Sequence, residues 1–361
     1  MLIINFLFFR FLFIIFILSK NKIKMLKIDN KFLLFLIIII AIQLLFLWIE
    51  SYRGIKKYFL TTELDLVKRY GSNMWVVITA ASSGQGRDFA LEFAKRGFNI
   101  LMIGSKRTID TENEIKQLYP KVQTKIIIKD FRKAFEHNFF DDIQLSFNEI
   151  GNKLAVLINN VGYRTAWKPY HEMPSHLIND TIATGTIVQS RLTQMVIPFF
   201  IERIKLNNNI KSSLVNITAQ CSHPNFLFGI TTSNEISVPY LSVYEAANAF
   251  GFYHGSSIYK EYKDQFDILN ITPGAVITKN TQYLKNTLFS CNSDIFVKEI
   301  IRMMGNVQGN TCAYWGHAFS NFLINLAPFM KDKILKNVGD TIANNYMQEY
   351  TINVKKYNTP F

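Results

Sequence analysis

Two glycines stand where an anion could sit. In Thr79-Ala80-Ala81-Ser82-Ser83-Gly84-Gln85-Gly86, a turn of small residues follows an apolar run and precedes the helical pattern of residues 87–96. Backbone amides at a helix start point at an anion, and missing side chains let a pyrophosphate come close. Taken alone, the same residues also suit any tight strand-to-helix turn. A second group, Gly104-Ser105-Lys106-Arg107, lies at the exit of the next apolar run. An acid there would bind a ribose 2′-hydroxyl and repel a 2′-phosphate, whereas cations accommodate it. This exit carries cations and no acid, which favours NADP over NAD, although the two cations also suit a solvated helix start. His171 and His176 flank Pro174 and read best as a solvated loop pair. Cys221, Cys291 and Cys312 have no zinc-type spacing, so neither a metal site nor a disulfide framework is implied.

The elements that would position these turns alternate in type. WVVIT (75–79) reads as a strand, the segment after Gly86 as a helix stopped by Gly97, and FNILMIG as a second strand. Thr108 to Leu118 is helical, and TKIIIKD is a third strand ending at Asp130. LAVLINN (154–160) is the fourth strand, 177–204 a long helix, SLVNIT (213–218) the fifth strand, 244–262 a helix and FDILNITPG (266–274) the sixth strand. Strand and helix alternating at this spacing predict an α/β fold with a doubly wound parallel sheet. Asn216-Ile217-Thr218 and Asn270-Ile271-Thr272 match the glycosylation triplet but fall in the strands; Asn179-Asp180-Thr181 alone is reachable.

Ahead of this domain, Phe32 to Ile49 is apolar except for Gln43, and at about 1.5 Å per residue it reaches about 27 Å, close to the hydrocarbon thickness of a bilayer. Trp48 and Tyr52 sit at one end as interfacial residues would. The earlier run Leu2 to Leu18 carries Arg10 and is a second span, a signal-like segment or a leader before Met25. If both runs cross, the lysines between them belong in the cytosol and the domain lies opposite; a single span over 32–49, or a hairpin that does not fully cross, removes that conflict with a cytosolic cofactor pool. The net charge of +13, from 40 Lys+Arg against 27 Asp+Glu, is scattered and forms no stripe, which argues against nucleic acid as a partner.

The turn at 79–86 resembles the T-G-x-x-x-G-x-G fingerprint of the short-chain dehydrogenases. At that family's spacing come Asp130-Phe131, then Asn159-Asn160-Val161-Gly162, Tyr244 in a helical stretch, and Pro273-Gly274 with Thr278. The apolar N-terminus, RGFNILMIGSK and AYWGHAFSNFLINLAPF narrow the resemblance to the endoplasmic-reticulum branch that contains very-long-chain 3-oxoacyl-CoA reductases and 17β-hydroxysteroid dehydrogenases. It implies a Rossmann-type fold and NADP(H)-dependent reduction of a 3-oxoacyl thioester or a steroid ketone. It also implies a homodimer, and an endoplasmic-reticulum membrane location with the domain in the cytosol. The matching positions imply a cofactor site of Thr79, Ser83, Gly84, Gly86, Lys106, Asp130 at the adenine, Asn159, Gly162, Pro273, Gly274 and Thr278. On this basis 1–53 is a membrane anchor, 54–310 the dehydrogenase domain and 311–361 a helical, partly apolar extension.

The catalytic positions depart from the family. A Tyr gives the proton, a Lys four residues on sits one helical turn away, and a Ser hydroxyl holds the carbonyl oxygen. Here Tyr244 is present and the Lys position holds Asn248. The N-I-S-S pattern falls on Asn216-Ile217-Thr218-Ala219, so Ala219 stands at the Ser and a displaced Ser222 is the substitute. The Asn of the long helix aligns with Gly185, and Ala80 replaces the first Gly of the turn. These departures leave open a catalytically impaired protein that keeps the fold and serves as a nucleotide-binding or partner-binding membrane protein.

Overall fold

The computed structural model describes residues 30–162, 168–207, 209–220, 237–278, 281, 286–325 and 333–345. The run 2–18, Cys221 and Ser222 lie outside the described residues.

The helices used below are α1 (Asn30–Ile55), α2 (Gly84–Lys95), α3 (Thr108–Leu118), α4 (Asp141–Ile150), α5 (Ser175–Ile182), α6 (Val188–Leu206), α7 (Ser242–Tyr262), α8 (Ser293–Met303) and α9 (Trp315–Asn325). The strands are β1 (Trp75–Thr79), β2 (Asn99–Gly104), β3 (Thr124–Ile128), β4 (Leu154–Asn159), β5 (Ser213–Ile217), β6 (Asp267–Ile271), β7 (Ala275–Ile277), β8 (Ser290–Asn292) and β9 (Gly309–Thr311). Seven strands form one sheet in the order β3-β2-β1-β4-β5-β6-β9, parallel throughout, while β7 and β8 pair apart from it.

The strands are apolar runs because both faces of the sheet are covered. Val76 and Ile78 of β1 pack with Phe89 and Phe93 of α2 and with Phe296 and Ile300 of α8. Val77, pointing the other way, packs with Phe147 of α4, with Leu192 and Phe200 of α6, and with Phe266. This is the two-residue alternation of a strand, here filling two cores. The strand order reverses between β1 and β4, and in open α/β sheets the ligand crevice lies at the carboxyl ends of the strands at such a reversal.

Three features differ from the expectations above. The third strand stops at Ile128, because the Asp130 carboxylate accepts from Arg132 N and starts a short helical turn. The helix expected over 177–204 starts at Ser175 and is interrupted: α5 passes through a π-helical turn, Ala183–Ile187, into α6. Gly185 lies in that turn and packs on α7, where a methyl on Gly185 would fall 2.9 Å from Ala247 Cβ. The seventh strand, β9, crosses the 310/311 boundary, so the C-terminal stretch begins inside the sheet.

Ahead of the sheet, the segment Ile37–Leu60 is long and apolar enough to cross a bilayer, and its apolar window is unburied by the rest of the chain. Trp48 and Tyr52 stack at 6.0 Å near the carboxyl end of α1.

Candidate functional site

The turn after β1 is held from below by Thr79. Its fully buried hydroxyl accepts from Asn160 N at 2.9 Å and Val161 N at 3.0 Å, while Asn160 Nδ2 donates to Thr79 O at 3.1 Å. Thr79 thus clamps the ends of β1 and β4 together beneath the crevice. Above it, Ala80 adopts φ +54° and Gly84 φ +53°. The left-handed region costs a non-glycine residue roughly 1–2 kcal/mol, so Ala80 strains the turn where a glycine would not. A methyl on Gly86 would lie 2.2 Å from Ala80 O, so only glycine fits there. Ser83 is the extended N-cap of α2, and its hydroxyl makes no capping bond.

This concave helix start fits a pyrophosphate: two side-chain-free positions and an uncapped row of amides face the crevice. Thr278 closes its far side, with Cγ2 3.2 Å from where a Gly84 methyl would stand. At the exit of β2, Ser105, Lys106 and Arg107 are exposed. Asp130 is exposed and clasped by Arg132, whose Nη2 lies 2.6 Å from Oδ2; this hydrogen bond holds the carboxyl below the usual range. Its charge is therefore matched within its own turn. Gly162 is exposed, and a methyl on it would meet open space.

Asn159 is buried and serves the sheet. Asn159, Asn216, Asn270 and Asn310 are register partners on four neighbouring strands. Their side chains form an amide ladder: Asn159 Nδ2 donates to Asn216 Oδ1 at 2.9 Å, Asn216 Nδ2 to Asn270 Oδ1 at 2.9 Å, and Asn270 Nδ2 to Asn310 Oδ1 at 3.1 Å. Helix α7 rests on this ladder at Gly255, where a methyl would come within 2.3 Å of Asn270 Oδ1. The ladder therefore sets the height of the helix that carries Tyr244.

Tyr244 lies in the first turn of α7 and is half-buried. The chain entering that turn is fixed by the buried Glu245, which accepts from Ser237 Oγ at 3.0 Å and Val238 N at 2.7 Å. Asn248 turns back on its own helix, its Nδ2 donating to Tyr244 O at 2.8 Å. Ala219 is buried, and the hydroxyl of its neighbour Thr218 is taken by the next strand, donating to Ile271 O at 2.9 Å. Ser222 lies outside the described residues.

Pro273 and Gly274 are held by two residues that the sequence did not single out. Gln220 N donates to Pro273 O at 2.8 Å and Gln220 Nε2 to His317 O at 3.0 Å. His317 is fully buried under Gly274, and its Nε2 donates to Ala275 O at 3.1 Å. Burial outweighs the pull of the Ala275 and Cys312 carbonyls and brings its pKa down to about 4. No local pattern marks His317; it meets Ala275 only through the fold.

Residues 74–288 match the family described as short chain dehydrogenase. The chain belongs to the short-chain dehydrogenases. Human very-long-chain 3-oxoacyl-CoA reductase is 27% identical over 286 residues, covering 77% of this chain and 84% of that protein. Chicken hydroxysteroid dehydrogenase-like protein 1 is 28% identical over 268 residues, covering 72% and 73%. Among solved structures, a short-chain dehydrogenase from Sphingobium yanoikuyae in complex with NADPH superposes with a TM-score of 0.53 at 20% identity, covering 66% of this chain and 87% of that one. A 3-ketoacyl-(acyl-carrier-protein) reductase from Brucella melitensis gives 0.54 at 14%, covering 66% and 95%. The structural likeness bears out the Rossmann-type fold, and the sequence relatives bear out the branch of short-chain dehydrogenases that the motifs indicated.

Proposed function

We propose that this short-chain dehydrogenase is a membrane-anchored, NADPH-dependent carbonyl reductase that acts on a 3-oxoacyl-CoA or a steroid ketone, with Tyr244 as its proton donor. The observation that carries the reading is the cradle at the start of α2, where Gly86 admits no side chain and Thr278 faces Gly84. The names of the sequence relatives supply the substrate classes. A bound NADPH would supply the hydride.

The chain's own residues do the rest. The α2 amides and Ser83 hold the pyrophosphate, Lys106 and Arg107 pair with the 2′-phosphate, and the 273–278 run borders the reacting end. Hydride arriving at the carbonyl carbon leaves charge on its oxygen, and the Tyr244 hydroxyl gives that oxygen a proton. The Lys that would favour tyrosinate is absent, and so is the Ser at 219, which makes this a slow member of its class. Helix α1 anchors the domain at the endoplasmic-reticulum membrane, on the cytosolic side where NADPH is available.

The test is nucleotide binding and NADPH oxidation by the full-length protein with long-chain 3-oxoacyl-CoA and with a steroid ketone, for the wild type and Tyr244→Phe. A loss of about 10²-fold in the variant supports the assignment. Equal turnover in both removes Tyr244 from the mechanism. Failure to bind NADPH or NADH at millimolar concentration supports instead a scaffold that binds a partner.

A further inference from the structure

Large apolar residues lie exposed around the exit of α1. Phe59 and Leu60 end the π-helical turn Lys56–Leu60 that prolongs α1; Leu288 and Phe289 sit just before β8; Phe319, Phe322 and Leu323 lie on α9. Leu60 is 63% exposed and Phe322 45%. Single exposed apolar residues need no explanation, but a contiguous group does. Ring contacts tie the aromatic members to α9: Phe59 lies 6.1 Å from Trp315, Phe289 6.4 Å from Phe319, and Phe319 6.4 Å from Phe322. The spacing i, i+3, i+4 puts Phe319, Phe322 and Leu323 on one stripe of α9.

The patch is fixed relative to α1. Arg302 Nη1 donates to the carbonyls of Lys57 at 3.3 Å and Thr61 at 2.7 Å, its Nη2 donates to Tyr58 O at 3.0 Å, and Asn306 Nδ2 reaches Thr62 O at 2.8 Å. Carbonyls at a helix end lack intrahelical partners, so Arg302 both caps the helix and staples it to α8. The opposite side of α9 carries the buried His317, which bonds Ala275 O beside the Pro273-Gly274 run. One face of α9 therefore meets solvent with aromatic rings, and the other supports the reacting end of the crevice.

We infer that the Phe319–Phe322–Leu323 face of α9, together with Phe59, Leu60, Leu288 and Phe289, is a second membrane contact. It inserts into the headgroup–acyl boundary of the leaflet that α1 leaves. The occupant is lipid: the patch continues directly from the apolar helix, the Arg302 staple fixes that helix to the domain, and aromatic and Leu side chains suit the interface. Docking there holds the Pro273–Thr278 side of the crevice toward the bilayer. The inference rests on α1 crossing a membrane.

The experiment is photocrosslinking of the full chain in phosphatidylcholine/phosphatidylserine vesicles, with p-benzoylphenylalanine replacing Phe322, Leu45 of α1 or Leu145 in separate preparations. Leu145 is an exposed residue on α4, across the sheet. Lipid adducts from positions 322 and 45 and their loss at 145 are the expected result. Adducts from 45 alone would overturn the docking while leaving the span intact, and adducts from none would remove both. Copy-to-copy adducts from 322 would assign the face to a second chain and overturn the lipid assignment, as would equal lipid adducts at all three positions.

Discussion

Asn248 Nδ2 donates to the carbonyl of Tyr244 at 2.8 Å, so the residue one helical turn beyond the phenol is engaged with its own helix. An Asn in that position offers no charge to the crevice. The backbone of α7 is already placed, by the asparagine ladder beneath Gly255 and by Glu245 at its start. What is missing is the cation, and the helix that would carry it is in position.

Asn248→Lys, combined with Ala219→Ser, is therefore expected to raise kcat for ketone reduction by on the order of 10²-fold, because it restores tuned acid catalysis on an existing scaffold. Steady-state NADPH oxidation checks this, with Tyr244→Phe added to the double variant as the control that should erase the gain. An unchanged rate would place the limiting step elsewhere than proton transfer.

The fourth catalytic position behaves differently. A side chain at Gly185 meets Ala247 Cβ at 2.9 Å, where the π-helical turn packs on α7. Gly185→Asn alone is expected to cost about 1–3 kcal/mol through overpacking and to give no gain in rate. Ala247→Gly in the same chain should recover most of that loss. Denaturant midpoints of the two singles and the double measure the coupling, and additive losses would show that the two residues do not share this space.

The parallel sheet was legible because buried strands such as Val76–Ile78 and Ile100–Ile103 are unbroken apolar runs that end in small residues. The strand β9 was not, since Gly309-Asn310-Thr311 has no apolar run; its place is set by register, through Asn310 against Asn270. The phosphate-binding turn showed in its glycines, but the left-handed Ala80 looks like an ordinary small residue in sequence. Asn159 was singled out for the crevice, and only the pairing of four strands shows its amide bound into a ladder. The π-helical turn at Gly185 leaves no mark in a helical pattern, because the extra residue shifts the hydrogen-bond register by one without changing composition.

Ala80 and Gly86 make opposite predictions within one turn. Ala80→Gly relieves a left-handed alanine and is expected to stabilise the chain by about 1 kcal/mol with nucleotide affinity retained. Gly86→Ala drives a methyl to 2.2 Å from Ala80 O and is expected to abolish NADPH binding by opening the turn. Thermal unfolding and a nucleotide titration on the same preparations separate the two effects. Binding retained in Gly86→Ala would mean the pyrophosphate lies elsewhere.

His317 gives stability a slope in mildly acid solution. Its folded pKa is drawn down to about 4 by burial, while the unfolded chain titrates near the ordinary value of 6.5. Between those two values the unfolded state holds the extra proton, so stability is full above about pH 6.5 and falls as the pH drops toward 4, by about 3 kcal/mol from this group. His317→Gln can still donate to Ala275 O but carries no titrating ring, so its stability should vary less over the same window. Urea unfolding of both proteins from pH 7 to pH 4 is the measurement. Parallel curves would mean that the ring is not desolvated beneath Gly274, and that α9 does not seat against the Pro273–Ala275 run as described.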